Sequence, residues 1–267
     1  MRIAFVGKGG AGKSTLVGTF ARLLARTGRD VVAVDSDPMP GLSYGLGLPV
    51  VERPIPDDAV IEKADGEAGP RSRLRPGLDA PSALEASAAL GADGVRFLSV
   101  GKTQGNWGDI ARGQHAWSQI LAELPAERFD LIGDLPGGTR QPLFGWGKSA
   151  DVIVVVVDPT PTSYATARRL ATLRDSRWGY HHIVAVANRV REEGDSAAVA
   201  AATGLEVIGA LPFDAAVAAA DRHGIAPLDG AAEGPFVAAV EALVVRCSDL
   251  FSHPVTNLQH VPKEAVA

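Results

Sequence analysis

Near the start of the chain, Gly7-Lys8-Gly9-Gly10-Ala11-Gly12-Lys13-Ser14 fits the pattern G-x-x-x-x-G-K-[ST]. Glycines carry no side chain to hold main-chain N–H groups apart, so such a loop can form a concave nest of donors for phosphate oxygens. A helix starting directly behind it adds its unpaired amides and the positive end of its dipole. In that arrangement Gly9, Gly10, Ala11 and Gly12 form the cradle, Lys13 reaches the β- and γ-phosphates, and the Ser14 hydroxyl binds Mg²⁺. Thr15 supports the α-phosphate. A dinucleotide-binding turn is also rich in glycine, but it has no use for the Lys13-Ser14 pair. The chemistry these residue types serve is the binding of a nucleoside triphosphate.

Two further stretches put carboxylates where such a ligand needs them. Val31-Val32-Ala33-Val34 ends in Asp35-Ser36-Asp37, and Phe129-Asp130-Leu131-Ile132-Gly133 ends in Asp134. An Asp at the carboxyl end of a parallel strand points into the ligand crevice, although the same residue is also an ordinary turn former. Asp134 fits a carboxylate that holds Mg²⁺ through water, because Mg²⁺ gives up its own waters reluctantly. Gly137-Gly138 follows and leaves that loop free to reshape.

The elements that must hold these residues are short apolar runs alternating with helix-length stretches. Strands are expected at Ile3–Val6, Val31–Val34, Val95–Val100, Phe129–Gly133, Val152–Val157, Ile183–Ala187 and Leu205–Leu211. Helices are expected at Thr15–Arg26, Ala116–Leu124, Tyr164–Ser176, Ser196–Thr203, Ala215–His223 and Pro235–Asp249. Strands apolar on both faces and separated by helices make a parallel sheet covered on both sides. The fold class is therefore α/β, doubly wound, with a mainly parallel sheet and helices on both faces. Residues 1–253 are expected to form one domain, with 50–94 an insertion carrying one short helix at Ser82–Leu90 and 254–267 a surface tail.

Lys8 makes the loop more specific. Residues 8–15, Lys-Gly-Gly-Ala-Gly-Lys-Ser-Thr, resemble the deviant phosphate loop of the MinD/ParA group of ATPases, which includes the nitrogenase iron protein and CooC-type accessory ATPases. Asp35-Ser36-Asp37-Pro38, with Gly41-Leu42 and Leu46-Gly47-Leu48, resembles that family's first switch, and Gly133-Asp134 with Gly137-Gly138 its second. The resemblance implies that Lys8 crosses a dimer interface to the partner's nucleotide, and that Asp37 orients or deprotonates the attacking water. It also implies that Asp35 helps to hold the Mg²⁺ shell and that Gly137-Gly138 senses the γ-phosphate. By the same resemblance Asn188 contacts the adenine amino group, while Pro212, Phe213 and Asp214 flank the base. Guanine readers carry Asn-Lys-x-Asp, and Arg191 stands where that Asp would be, which favours ATP over GTP. The implied protein is an ATP- and Mg²⁺-dependent ATPase that forms a nucleotide-dependent homodimer and serves a client protein.

The chain also departs from its relatives. The nitrogenase branch has a cluster-binding cysteine where Pro136 stands, and without a thiolate no iron–sulfur cluster is expected there. Residues 105–111 lack the Cys-x-Cys pair of CooC-type proteins. His181 and His182, adjacent on an expected strand, would face opposite sides, so no protein-bound metal beyond the nucleotide's Mg²⁺ is assigned. Pro262 interrupts a tail with little positive charge, which argues against a membrane anchor. Arg168, Arg169, Arg174 and Arg177 spread around one expected helix rather than forming a stripe, which argues against a nucleic-acid partner.

Composition is that of an ordinary globular protein. Of 267 residues 46% are apolar and 21% charged, and 26 basic against 31 acidic side chains give a net charge of −5. The lone Cys247 excludes an intrachain disulfide. No apolar run reaches the roughly 18 residues that span a bilayer, and the first residues read as a strand rather than a leader, so a cytoplasmic protein is expected. Two rival readings stay open at this point: a P-loop kinase using 50–94 as its lid, and a non-catalytic nucleotide-binding scaffold.

Overall fold

A strand with no polar position cannot face water on either side, and β8 (Val152–Val157) is buried along its whole length. The computed structural model describes residues 1–37, 41–49, 59–64, 66, 72–99, 116–138, 146–172 and 182–251. From edge to edge the main sheet runs β10 (Val207–Pro212), β9 (Ile183–Val190), β8, β1 (Arg2–Gly7), β7 (Phe129–Asp134), β2 (Asp30–Asp35), β6 (Arg96–Ser99) and β5 (Ala89–Leu90). All neighbours are parallel except β5 and β6. A separate antiparallel ribbon joins β3 (Val60–Glu62) to β4 (Ser72–Leu74).

Alternate residues of each strand feed two cores. On one face Ile3, Phe5, Val154 and Val156 pack against α1 (Lys13–Arg26) and α9 (Pro235–Phe251), with Phe5 and Phe20 edge to face at 5.5 Å between ring centres. On the other, Ala4, Val6 and Val155 meet Trp117 and Ile120 of α4 (116–123), Leu170 of α5 (Pro161–Ala171) and Val199 of α6 (Asp195–Thr203). Leu16, Phe20 and Leu24 recur every fourth residue, which gives α1 its buried face. Thr160 caps α5, accepting from the Ser163 amide, and Pro161 fills its first turn. Short helices α2 (Leu42–Gly45), α3 (Ala80–Ser87), α7 (Ala215–Asp221) and α8 (Pro227–Gly230), with 3₁₀ turns at Ala92–Gly94 and Trp146–Ser149, complete the helices of the described residues.

Several bounds differ from expectation for local reasons. The helix expected at Ser82–Leu90 is α3, which begins earlier because Asp79 caps it, its carboxylate accepting from the Ser82 amide at 2.8 Å. It ends at an extended Ala88, and Leu90 instead pairs with Arg96 at the sheet edge. β9 continues through Asn188 to Val190, and His182 precedes it. The α5 helix is described only to Ala171, so Arg174 and Arg177, like residues 105–111 and the tail from 252, lie outside the described residues. Among the described residues no helix is long and apolar enough to cross a membrane.

The α1 and α2 helices touch backbone to backbone, so that a Cβ on Gly18 would lie 2.8 Å from the Gly45 Cα. Gly18→Ala is expected to lower stability by about 1–3 kcal/mol, read from denaturant midpoints. An unchanged midpoint would mean that α2 is not seated on α1.

Candidate functional site

Parallel strands bring their carboxyl ends to one edge, and β1, β2, β7 and β9 deliver the expected residues there. After Gly7 the chain turns tightly, the Ala11 amide donating to the Lys8 carbonyl at 3.2 Å. Gly12 caps α1 in a left-handed conformation (φ 85°), and a Cβ there would sit 2.5 Å from the Asn188 Nδ2. That same Nδ2 donates to the Ala11 carbonyl at 2.7 Å. On the opposite side Gly137 abuts the loop, where a Cβ would approach the Gly9 amide nitrogen to 2.9 Å. Gly9 and Gly10 are exposed, Lys8 is half-buried, and the nearly buried Lys13 donates from Nζ to the Lys8 carbonyl at 3.3 Å.

Beneath the loop, Ser14 Oγ donates to Asp134 Oδ2 at 2.5 Å, and Asp134 Oδ1 is buried without a hydrogen-bond partner. Burial pushes the Asp134 carboxyl up to about 6, against the lowering influence of the Ser14 hydroxyl and the Lys13 charge. Asp35 is fully buried and is pushed up to about 7 by burial and then by the Asp134 charge. Its two oxygens accept from the backbone amides of Asp37 at 2.9 Å and Leu42 at 3.1 Å. Asp35 thus holds both the half-buried Asp37 and the start of α2 by their amides, and any part it takes in a metal shell would be indirect. An acid with an orphaned buried oxygen beside a serine hydroxyl fits a hydrated Mg²⁺, a hard cation that prefers oxygen and keeps its waters.

The expected base residues also gather. Asn188, Pro212, Phe213 and Asp214 line a recess of about 130 Å³ together with Gly12 and Thr15. The Phe213 amide donates to the Val190 carbonyl at 2.9 Å, which ties this loop back to β9. Asp214 also caps α7, accepting from the Ala216 amide at 2.9 Å. The Arg191 guanidinium lies 3.8 Å from the Phe213 ring centre, a cation–π contact that turns it onto the aromatic face.

Sequence reasoning missed most of the far wall of the larger cleft, of about 690 Å³, that opens in front of Gly10–Thr15. Tyr44 and His223 line it, while Asp221 and Arg189 line both cleft and recess, Arg189 from a left-handed backbone (φ 58°). A non-glycine residue held there is uncommon and marks a site that the surroundings over-determine. The signal for the 221–224 turn was present in Gly224 and Pro227, which stop α7 before the expected His223.

Residues 3–228 match the CobQ/CobB/MinD/ParA nucleotide-binding domain. The chain belongs to that family of P-loop NTPases. It is 30% identical over 244 residues to the carbon monoxide dehydrogenase accessory protein CooC of Rhodospirillum rubrum, covering 86% of this chain and 90% of CooC. The septum site-determining protein MinD from Pyrococcus horikoshii, solved with Mg-ADP, superposes with a TM-score of 0.68 at 21% identity, covering 93% and 96% of the two chains. A ParA family ATPase from Chlorobium tepidum does so with 0.69 at 18% identity, over 91% and 97%. These two structures share the fold.

The raised carboxyls have a consequence for stability. Asp35 and Asp134 keep their protons in the folded chain at pH values where the unfolded chain has lost them. Their contribution therefore falls as pH rises from about 4 to about 7, then levels. Asp134→Asn, which cannot ionise, is expected to flatten that decline in thermal midpoints of the nucleotide-free protein. The wild-type slope persisting in the variant would place the ionisation elsewhere.

Proposed function

We propose that this protein hydrolyses ATP and uses the cycle as a dimer switch serving a client protein. The carrying observation is the Ser14–Asp134 pair beneath the glycine loop, with an orphaned carboxylate oxygen beside it and Asp37 held by Asp35. ATP would lie with its phosphates along Gly9–Thr15, its base in the recess of Asn188, Pro212 and Phe213. Mg²⁺, held by Ser14 and through water by Asp134, with Asp35 acting indirectly, would neutralise charge on the β- and γ-oxygens.

Asp37 orients a water in line with the γ-phosphorus and takes its proton as the bond to the β-bridging oxygen breaks, leaving ADP and phosphate. Lys13, and Lys8 from a second copy of the chain, stabilise charge developing on the transferred group. Gly137, packed on Gly9, lets loss of the γ-phosphate reposition the loop after β7. Mg-ADP in the Pyrococcus relative supports the nucleotide and metal, and the accessory role of CooC supports a client. The described residues of 59–94 pack on the sheet and its helices, and none lines the cleft or the recess, which favours water over a lidded kinase substrate as the acceptor.

Lys13→Ala is expected to abolish ATP binding and phosphate release. Lys8→Ala should still bind ADP in calorimetry yet lose about 100-fold or more in turnover. Light scattering should find a dimer for Asp37→Ala with ATP and a monomer with ADP. Unchanged phosphate release in Lys13→Ala overturns the site, and a monomer in ATP overturns the switch.

A further inference from the structure

Arg22 is a buried guanidinium in the third turn of α1, well behind the phosphate loop, with its side chain 4% exposed. Its Nε donates to Asp93 at 2.7 Å, while Nη1 and Nη2 donate to the two oxygens of Asp229 at 2.8 Å each. Arg26 meets Asp93 from the next turn at 3.0 Å, so two guanidinium groups balance two carboxylates. Asp93 takes this place from a left-handed backbone (φ 57°). A planar fork that satisfies two acids from different elements fixes both in distance and in orientation, which a lysine cannot do.

One acid lies next to the cleft rim, and the other is joined to a helix that lines the cleft. Beside Asp93, the Ala92 amide donates to the Leu46 carbonyl at 2.9 Å, which fastens the exit of α2. The entrance of α2 is the Leu42 amide held by Asp35, which also accepts from the Asp37 amide, so Asp37 is tied to a helix pinned at both ends. Asp229 lies in α8, two residues after Pro227 of the cleft rim. The two segments meet at the cleft mouth, where a Cβ on Gly224 would lie 3.5 Å from the Tyr44 ring.

We propose that Arg22 is a positioning residue for nucleotide chemistry, with its Asp93 arm setting Asp37 through α2 and Asp35, and its Asp229 arm setting the rim of the cleft. The proposal rests on the nucleotide reading of the cleft. Neither arm touches the ligand, so each acts through the wall it holds, and the two arms make different kinetic signatures. The rim contributes to binding in ground and transition states alike, whereas the Asp37 loop matters in the transition state.

The test measures ATP turnover and ADP affinity by calorimetry in the full chain. Asp229→Asn is expected to raise KM and the ADP Kd about fivefold with kcat within about twofold. Asp93→Asn, whose side chain tolerates the left-handed backbone, is expected to lower kcat about fivefold with KM within about twofold. Arg22→Lys should show both effects while its thermal midpoint stays near wild type; if it unfolds, the two Asn variants decide alone. Variants that lose stability without the KM-against-kcat split, or that match wild type in both constants, overturn the proposal. A wild-type chain that binds no ADP would instead overturn the nucleotide reading on which it rests.

Discussion

The phosphate loop is bare main chain pressed between the ends of two other strands, and the rest of the site depends on that crowding. Gly12 leaves no room for a side chain because the Asn188 amide of β9 occupies the space, and Gly137 after β7 rests on Gly9. A loop without side chains can turn its amides outward only if something else fixes its shape. Here the neighbouring strand ends do so. The same contacts tie the loop to the end of the Asp134 strand on one side and to the Asn188 recess on the other.

Charge at this edge is unbalanced. Asp35 and Asp134 are buried beside each other, Asp37 is close behind, and Lys13 is the cation nearest to Asp134 in effect. Burying carboxylates this way is costly unless a cation or donors complete them. Asp35 is completed by two amides, whereas Asp134 has one oxygen still to satisfy. Local conflict of this kind, set in an otherwise consistent core, is what a site looks like when a ligand is part of the balance.

The α1 helix is the spine that relates these parts. Its first residues are the Lys13–Ser14 pair, Gly18 seats α2, and Arg22 one turn later gathers Asp93 and Asp229. Because a packed helix moves as a rigid body, loop, switch segment and rim keep a common reference. The polar tie lies on the far side of the helix contact from the phosphates, where substitution can change cleft geometry without removing a ligand contact.

The elements were legible in the sequence because their signals are local. The all-apolar run Val152–Val157 became the predicted strand, and the glycine-lysine-serine pattern became a turn into a helix. Those signals need no knowledge of what lies opposite. They misplaced residues 82–90, where a cap at Asp79 and an edge pairing with β6 divided one expected helix into a helix and a strand. Partnership was decided by the tertiary structure. Ser14 meets Asp134 across 120 residues, Asn188 meets Ala11 across 177, and Arg22 meets Asp229 across 207. The first two meetings exist because β7 is inserted between β1 and β2 and β9 lies beyond β8, and the third because α8 packs on α1, arrangements that no run of neighbouring residues encodes. The residue types that could bind phosphate were thus written along the chain, while which carboxylate faces which hydroxyl, and which arginine is buried between two acids, followed from strand order and packing.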